Sequence, residues 1–239
     1  MKTILRSITQ FALFVAGVII SCAASAAYVF VTIDYPATPP STSTNNGFWG
    51  TSLSGNLMIL QAVVDGNNAS FIYDTAAHSF TRLPPPPAPW ISASAIGIND
   101  FGTVVGSVTD TSSNQTAFIF DHGIYTFFSR PEWIGSEFRS INNSGIITGW
   151  NFIRADGLLP VSVGVIFDPS AGTYTEISVP GASPYATIFP HGINSAGQAV
   201  GTAKPYNLQC HSGTIGANSF LREPDGTLFL FTVADGFRC

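Results

Sequence analysis

The stretch Ile98-Asn99-Asp100-Phe101-Gly102-Thr103-Val104-Val105-Gly106 occurs three times in this chain in related forms. The other copies are Ile141-Asn142-Asn143-Ser144-Gly145-Ile146-Ile147-Thr148-Gly149 and Ile193-Asn194-Ser195-Ala196-Gly197-Gln198-Ala199-Val200-Gly201. Their shared frame is I-N-x-x-G-x-x-x-G, and successive copies begin 43 and 52 residues apart. A short motif that returns at such a period is typical of a repeat architecture. The chain is therefore predicted to be built from repeated units.

Each copy of the motif predicts a β-hairpin. The asparagine can close an Asx turn, and the glycine three residues later supplies a positive φ. The alternating apolar run from Thr103 to Val108 then indicates the returning strand. The second glycine lies inside that strand, where a bulge or a close backbone approach is expected. The asparagines and glycines are thus assigned to turns and packing rather than to ligand binding, with positive φ at Gly102, Gly145 and Gly197.

A second pattern follows each hairpin, namely a short apolar strand that ends in an acid. Its copies are Ser70-Phe71-Ile72-Tyr73-Asp74, Ala117-Phe118-Ile119-Phe120-Asp121, Gly164-Val165-Ile166-Phe167-Asp168 and Ser219-Phe220-Leu221-Arg222-Glu223. Another short strand follows each copy, so one unit holds four strands in about 45 residues, as a propeller blade does. Asp74, Asp121 and Asp168 stand where the repeat needs a turn initiator, and this role is favoured over a catalytic pair.

Composition also indicates an all-β fold. Only 10% of the residues are charged, and no convincing helical period occurs beyond the first 26 residues. We predict a small β-propeller of about four four-stranded blades, with a β-sandwich or an irregular barrel as the alternative. The units fall at about 48–90, 91–135, 136–185 and 186–239, after a leading strand at 28–36. Val29 to Ile33 is expected to pair beside the last unit, near Leu228 to Val233, because an open ring exposes two sheet edges.

Three segments together resemble the HAF-type extracellular repeats of bacteria. They are the motif hairpin, the strand Ala117-Phe118-Ile119-Phe120-Asp121 and the segment from Thr175 to Ala182. The resemblance covers about residues 28–237, and it implies a secreted, propeller-like β protein with no assigned chemistry and no catalytic residue to transfer. The first unit departs from the pattern because it lacks the Asn-Gly frame, and the last unit carries an insertion around Leu208 to Ile215.

The first 26 residues predict export. Lys2 and Arg6 precede an apolar stretch from Phe11 to Ile20, and small residues then end at Ala26, which is the pattern of a cleaved signal peptide. The apolar stretch is too short to span a bilayer. Ile19-Ile20-Ser21-Cys22 also fits a lipoprotein box, so acylation of Cys22 stays open beside cleavage after Ala26. Either route gives a secreted, periplasmic or cell-surface protein.

Charge and cysteine usage limit the partners. The formal net charge is −5, and an acidic balance argues against nucleic acid and anionic membranes as partners. In an oxidising compartment, Cys210 and Cys239 are expected to form a disulfide bond. The four histidines are scattered, and no metal-binding, phosphate-binding or nucleophile motif occurs, so no metal or other cofactor is expected.

One set of aromatic residues recurs between units. Trp49, Trp90 and Trp133 each fall between a fourth strand and the next first strand, and Tyr185 or Phe189 takes that place in the last unit. Rings at this place can stack on sugars or plug the junction between blades. We expect a non-catalytic binding or structural module for an extracellular glycan or protein. The alternative is a carbohydrate-active hydrolase or lyase with an axial site.

Overall fold

A computed structural model describes residue 33 and residues 49–64, 67–154, 160–179, 186–204 and 218–231. The chain divides into two compact units, Met1–Thr38 and Pro39–Cys239. The second unit holds every strand discussed below. Within the described ranges, no helix has the length and apolar character needed to cross a membrane.

The described strands form four antiparallel sheets of four strands each, and in every sheet consecutive strands are neighbours. This is a four-bladed β-propeller, which confirms the predicted fold class. The first blade holds β1 Trp49–Ser54, β2 Leu57–Val64, β3 Asn67–Asp74 and β4 Ser79–Arg82. The second holds β5 Trp90–Ile98, β6 Val104–Asp110, β7 Gln115–Asp121 and β8 Ile124–Phe128. The third holds β9 Trp133–Ile141, β10 Ile147–Arg154, β11 Pro160–Asp168 and β12 Thr173–Glu176, and the fourth holds β13 Thr187–Ile193, β14 Ala199–Lys204, β15 Asn218–Arg222 and β16 Leu228–Phe231.

Several expectations fall outside the described residues. These are the signal peptide at 1–26, Cys22, the leading strand at 28–36 apart from residue 33, the insertion at 208–215, Tyr185, and the pair Cys210 and Cys239. The pairing of residues 29–33 beside β16 and the disulfide bond therefore stay predictions.

The motif turns have the predicted backbone. Gly102, Gly145 and Gly197 have φ values of 83°, 80° and 82°, which confirms the expected left-handed conformation. In the second blade, Oδ1 of Asn99 accepts the N–H groups of Phe101 and Thr103 at 3.1 and 3.0 Å. The same two bonds recur at the asparagines of the third and fourth blades. The asparagine therefore closes the turn that the glycine makes possible.

The second glycine of the motif lies where two strands approach closely. A Cβ at Gly106 would stand 2.0 Å from the carbonyl oxygen of Ser94, and one at Gly149 would stand 2.1 Å from that of Glu137. Gly201 has the same relation to Phe189, at 2.3 Å. Directly after the residue that pairs with each glycine, the innermost strand contains one extra, unpaired residue, so its register shifts by one. The glycine thus makes room for a β-bulge in the strand beside it, as the sequence predicts.

Apolar cores join successive blades. The first core places Ile59 of the first blade against Val104 and Phe118 of the second. The second core packs Val105 and Ala117 against the third blade, and a third core joins the third and fourth blades. The side chains of neighbouring residues in a strand point to opposite faces of the sheet. The second and third blades therefore each contribute to two of these cores. Full burial of one such side chain contributes about 1.5–3 kcal/mol.

Alanine at the two glycines of one motif separates the two roles. Gly145→Ala meets open space but a positive φ, so we expect a loss of about 1–2 kcal/mol in the free energy of unfolding. Gly149→Ala places a methyl group against the Glu137 backbone, so we expect a larger loss of about 3 kcal/mol or more. Urea unfolding of the mature chain measures both values, and an equal cost at the two positions would refute the close approach.

Candidate functional site

The motif asparagines connect one blade to the next around the propeller axis. Nδ2 of Asn99 donates to the backbone carbonyl of Asn142 at 3.4 Å, and Nδ2 of Asn142 donates to that of Asn194 at 3.0 Å. Asn99 and Asn142 are both buried. In the fourth blade, Nδ2 of Asn194 instead donates to Oε1 of Gln198 at 2.7 Å. This amide relay holds three motif turns side by side at one end of the axis.

A polar pocket of about 240 Å³ opens at this end, and we call it the axial pocket. All four innermost strands or their turns contribute to it: Ser52, Leu53, Ser54, Ile98, Asp100, Ser140, Ile141, Asn142, Asn143, Ile193 and Ser195. Ser54 Oγ donates to Asp100 Oδ1, and Asn143 Nδ2 donates to Asp100 Oδ2 at 2.7 Å. These bonds hold the pKa of Asp100 below its usual range. The axial pocket therefore presents hydroxyl and amide groups around one ionised carboxylate.

Each innermost strand also presents one bulged residue near this pocket. The register shifts place Thr51, Ile96, Arg139 and His191 at equivalent positions of the four blades. Arg139 has defined partners. Its Nη1 lies 3.1 Å from Oε1 of Glu137, and its guanidinium lies 4.9 Å from the centre of the Trp150 ring. The bulge slot can thus hold very different side chains on the same backbone.

Glu137 is a buried acid on the innermost strand of the third blade. Burial raises its pKa, while the charge of Arg139 and hydrogen bonds from Ser107 and Arg139 act in the opposite direction. Desolvation, and then the charge of Arg139, lower the pKa of His191 and favour its neutral form. Glu137 therefore forms an ion pair with Arg139 of its own strand and accepts a hydrogen bond from Ser107 of the second blade. Within the described ranges, no cluster of three or more His, Cys, Asp or Glu side chains could hold a metal ion.

The acids that end the third strands serve turns. Oδ1 of Asp74 accepts the N–H groups of Ala76 and Ala77 at 2.8 and 2.9 Å. Asp168 makes the equivalent bonds in its own turn. Asp121 accepts bonds from Thr103 and His122. The predicted turn role is confirmed at Asp74 and Asp168.

The expected aromatic series divides into two sets of positions. Trp90 and Trp133 begin their innermost strands and pair with Asp110 and Ile153. Trp49 pairs with Gln61 instead, which places it four residues further along the strand, at the position of Ser94 in the second blade. Phe189 shares that second position. The expectation that all of them occupy one place is therefore wrong for Trp49 and Phe189, because each lies two residues before the bulged residue of its strand, Thr51 or His191, and not at the earlier position that Trp90 and Trp133 share.

The rings of Trp90 and Trp133 have packing partners. Trp90 is half-buried against the first interblade core, and its ring centre lies 5.3 Å from that of Phe127. Trp133 meets Tyr174 edge-on at 5.3 Å, with the guanidinium of Arg130 also 5.3 Å from the Trp133 ring centre. Trp90 therefore helps to hold a blade junction, whereas Trp133 packs within its own blade and against the connection that leads to it.

Two equivalent clefts lie beside these tryptophans. The first cleft, about 230 Å³, opens between the first and second blades, and the second cleft, about 300 Å³, opens between the second and third. Each is lined by the start of the third strand of one blade and the start of the innermost strand of the next. Ile91 and Ile134 line equivalent positions at register shifts and are 63% and 39% exposed. We call these the first and second interblade clefts.

The interblade clefts carry polar groups and one arginine each. The first cleft contains Asn68, Ser92 and Arg82, and the second contains Gln115, Ser136 and Arg154, with Trp133 in its wall. None of the described residues that line these clefts is an acid. The repeated dipeptides Trp90-Ile91 and Trp133-Ile134 are the sequence signal that could have located them.

Comparison with known proteins shows the fold alone. No family model and no curated protein sequence matches the chain. The structure is similar to that of a putative TolB from Agrobacterium tumefaciens, with a TM-score of 0.54 and 14% identity over 76% of this chain and 63% of that one. It is also similar to TolB from Acinetobacter baumannii, with a TM-score of 0.50 and 15% identity over 76% of this chain and 42% of that one. The chain thus spans less than two thirds of either protein.

The amide relay can be tested at two equivalent asparagines. Asn142→Ala removes two turn bonds and a bond to the next blade, so we expect the free energy of unfolding to fall by about 2–3 kcal/mol relative to the wild type. Asn194→Ala removes two turn bonds and an exposed bond to Gln198, and we expect about 1 kcal/mol. Denaturant unfolding compares them, and a larger loss at Asn194 would contradict the relay.

Trp90 offers a test of the junction role. Trp90→Ala removes a half-buried ring from the first interblade core, and we expect a loss of about 3 kcal/mol in the free energy of unfolding. Trp90→Phe keeps part of the contact with Phe127 and should lose less. A change in Trp90→Ala below about 0.5 kcal/mol, as at ordinary surface positions, would show that the ring does not support the junction.

Proposed function

We propose that this protein is an exported, non-catalytic module that binds glycans in the two interblade clefts. One observation carries the proposal: the same cleft recurs at successive blade junctions, with an exposed isoleucine at the same bulge in each. A site that repeats on a rigid scaffold suits a ligand that is itself built from repeating units. A polysaccharide is the extracellular polymer that best fits this description.

The lining chemistry supports a sugar ligand. Ligand sites combine apolar surface with a few fixed polar groups. Ile91 and Ile134 supply exposed apolar surface for the C–H face of a sugar ring. Hydroxyl and amide groups such as those of Ser92 and Gln115 supply donors and acceptors for its hydroxyl groups. The half-buried Trp133 adds an aromatic wall to the second cleft.

A binding role is favoured over the alternative of an axial carbohydrate-active enzyme. Glycoside hydrolysis generally uses two carboxyl groups about 5–9.5 Å apart, one on each side of the scissile bond. Asp74 and Asp168 are held in turns, and Glu137 is paired with Arg139. Asp100 is held by Ser54 and Asn143 at the mouth of the axial pocket. These four acids thus have structural partners, which supports binding without turnover.

Export rests on the N-terminal pattern. Two basic residues, an apolar stretch and a small-residue end at Ala26 favour translocation, with lipid attachment at Cys22 as the other route. We further propose that the repeats are of the HAF type, on the strength of the motif and the strand from Ala117 to Asp121. Both proposals agree with an extracellular polymer as ligand.

Exposed isoleucines make a sharp test, because their loss should leave the fold intact. We expect Ile91→Ser and Ile134→Ser to weaken binding to a glycan selected on an array by about tenfold each, since full burial of an Ile side chain is worth about 1.5–3 kcal/mol. Ile124→Ser is the matched control, because Ile124 is 68% exposed and lines neither cleft. Its affinity should equal that of the wild type.

The array itself decides the broader proposal. Binding of one or more glycans that is lost in the double variant Ile91→Ser/Ile134→Ser, with unchanged thermal stability, supports the cleft site. Binding that survives in that variant would place the site elsewhere. Product formation in the same samples would replace the binding role with an enzymatic one.

A further inference from the structure

We infer that the glycan is an acidic polysaccharide, whose carboxylate groups bind Arg82 in the first interblade cleft and Arg154 in the second. This inference rests on the proposed glycan-binding function and adds the ligand's chemical class. It also gives the two clefts a joint role: one polymer chain occupies both, with one acidic unit at each arginine.

The two cleft arginines, Arg82 and Arg154, are exposed, and neither takes part in an ion pair among the residues that the structure describes. By contrast, Arg130 is paired with Glu132 and Arg139 with Glu137. A guanidinium presents a planar fork of donors that matches a carboxylate in a bidentate manner. An unpaired arginine at the lining of a cleft is therefore a ready carboxylate site.

The two arginines reach equivalent clefts from different strands. Arg82 lies at the end of β4, in the outermost strand of the first blade, whereas Arg154 lies at the end of β10 in the third blade. The repeat therefore does not place a basic residue at the same position of every blade. Among the described residues, the lining of each cleft nevertheless includes one arginine and no acid.

Nearby acid is already engaged. Asn114 lines the second cleft and donates to Asp110, whose carboxylate also accepts N–H groups from Ser112 and Asn114. These bonds lower the pKa of Asp110, so that it is ionised and its oxygens are occupied by donors of its own turn. The axial pocket has the reverse character, because its described lining includes Asp100 and no basic residue. The interblade clefts thus present positive charge in a chain whose net charge is negative.

The experiment compares one polymer in two charge states. Mature protein is titrated with polygalacturonate and with the same polymer after full methyl esterification, which keeps the sugar and removes the charge. We expect the acidic form to bind at least tenfold more tightly, and short galacturonate oligomers to bind more weakly than chains long enough to reach both clefts. Arg82→Gln and Arg154→Gln should each weaken binding of the acid by about tenfold, because charged hydrogen bonds of about 1.5–3 kcal/mol are lost.

A matched control removes the same charge elsewhere. Arg222→Gln lies in the fourth blade and lines neither cleft, so it should leave the affinity unchanged. Equal binding of the acid and its methyl ester, with no effect of the cleft arginines, would overturn the carboxylate inference and leave glycan binding standing. Equal competition by polyglutamate or by duplex DNA would overturn it in favour of nonspecific polyanion binding. Absence of binding to every glycan on the array, charged or neutral, would remove the proposed function as well.

Discussion

In two of the three motif copies, the asparagine side chain both closes its own turn and bonds to the next blade. At Asn142, the oxygen accepts two N–H groups and closes the turn, while the nitrogen donates to the carbonyl of Asn194 in the next blade at 3.0 Å. An aspartate could close the same turn but has no donor for the next blade. Local turn geometry and blade spacing therefore depend on the same amide. Strands that this amide helps to position contribute to the axial pocket, to the bulges and to the interblade clefts.

The sequence predicts what is local and repeated. The motif predicts the hairpins, the positive φ of Gly145 and the close approach at Gly149, because each follows from backbone sterics within a few residues. Placing Trp49 with Trp90 was wrong, because equivalent positions are set by pairing with the next strand, and Trp49 pairs with Gln61 at the position of Ser94. The donation across blades by Asn142 was also beyond reach, since it requires the position of a strand 52 residues away.

The net charge of the sequence likewise does not predict the local charge around a pocket. A net charge of −5 argues against polyanionic partners only if the charge is evenly spread over the surface. In the folded chain, acidic and basic side chains line different pockets. Asp100 lines the axial pocket, whereas Arg82 and Arg154 line the interblade clefts. Fields from exposed charges fall off over about 8 Å at physiological ionic strength. A ligand therefore responds to the few charges beside it rather than to the total for the chain.

The bulge on each innermost strand has a consequence for how such a protein can diversify. Because a bulge leaves one residue outside the pairing of the sheet, Thr51, Ile96, Arg139 and His191 can differ in size, polarity and charge on one backbone frame. In the second, third and fourth blades, a glycine of the neighbouring strand makes room for the bulge and leaves the bulged side chain unspecified. The four bulged residues can therefore be substituted one at a time while the hairpins stay constant. Blades that descend from one ancestral blade can in this way acquire different binding specificities without a change of fold.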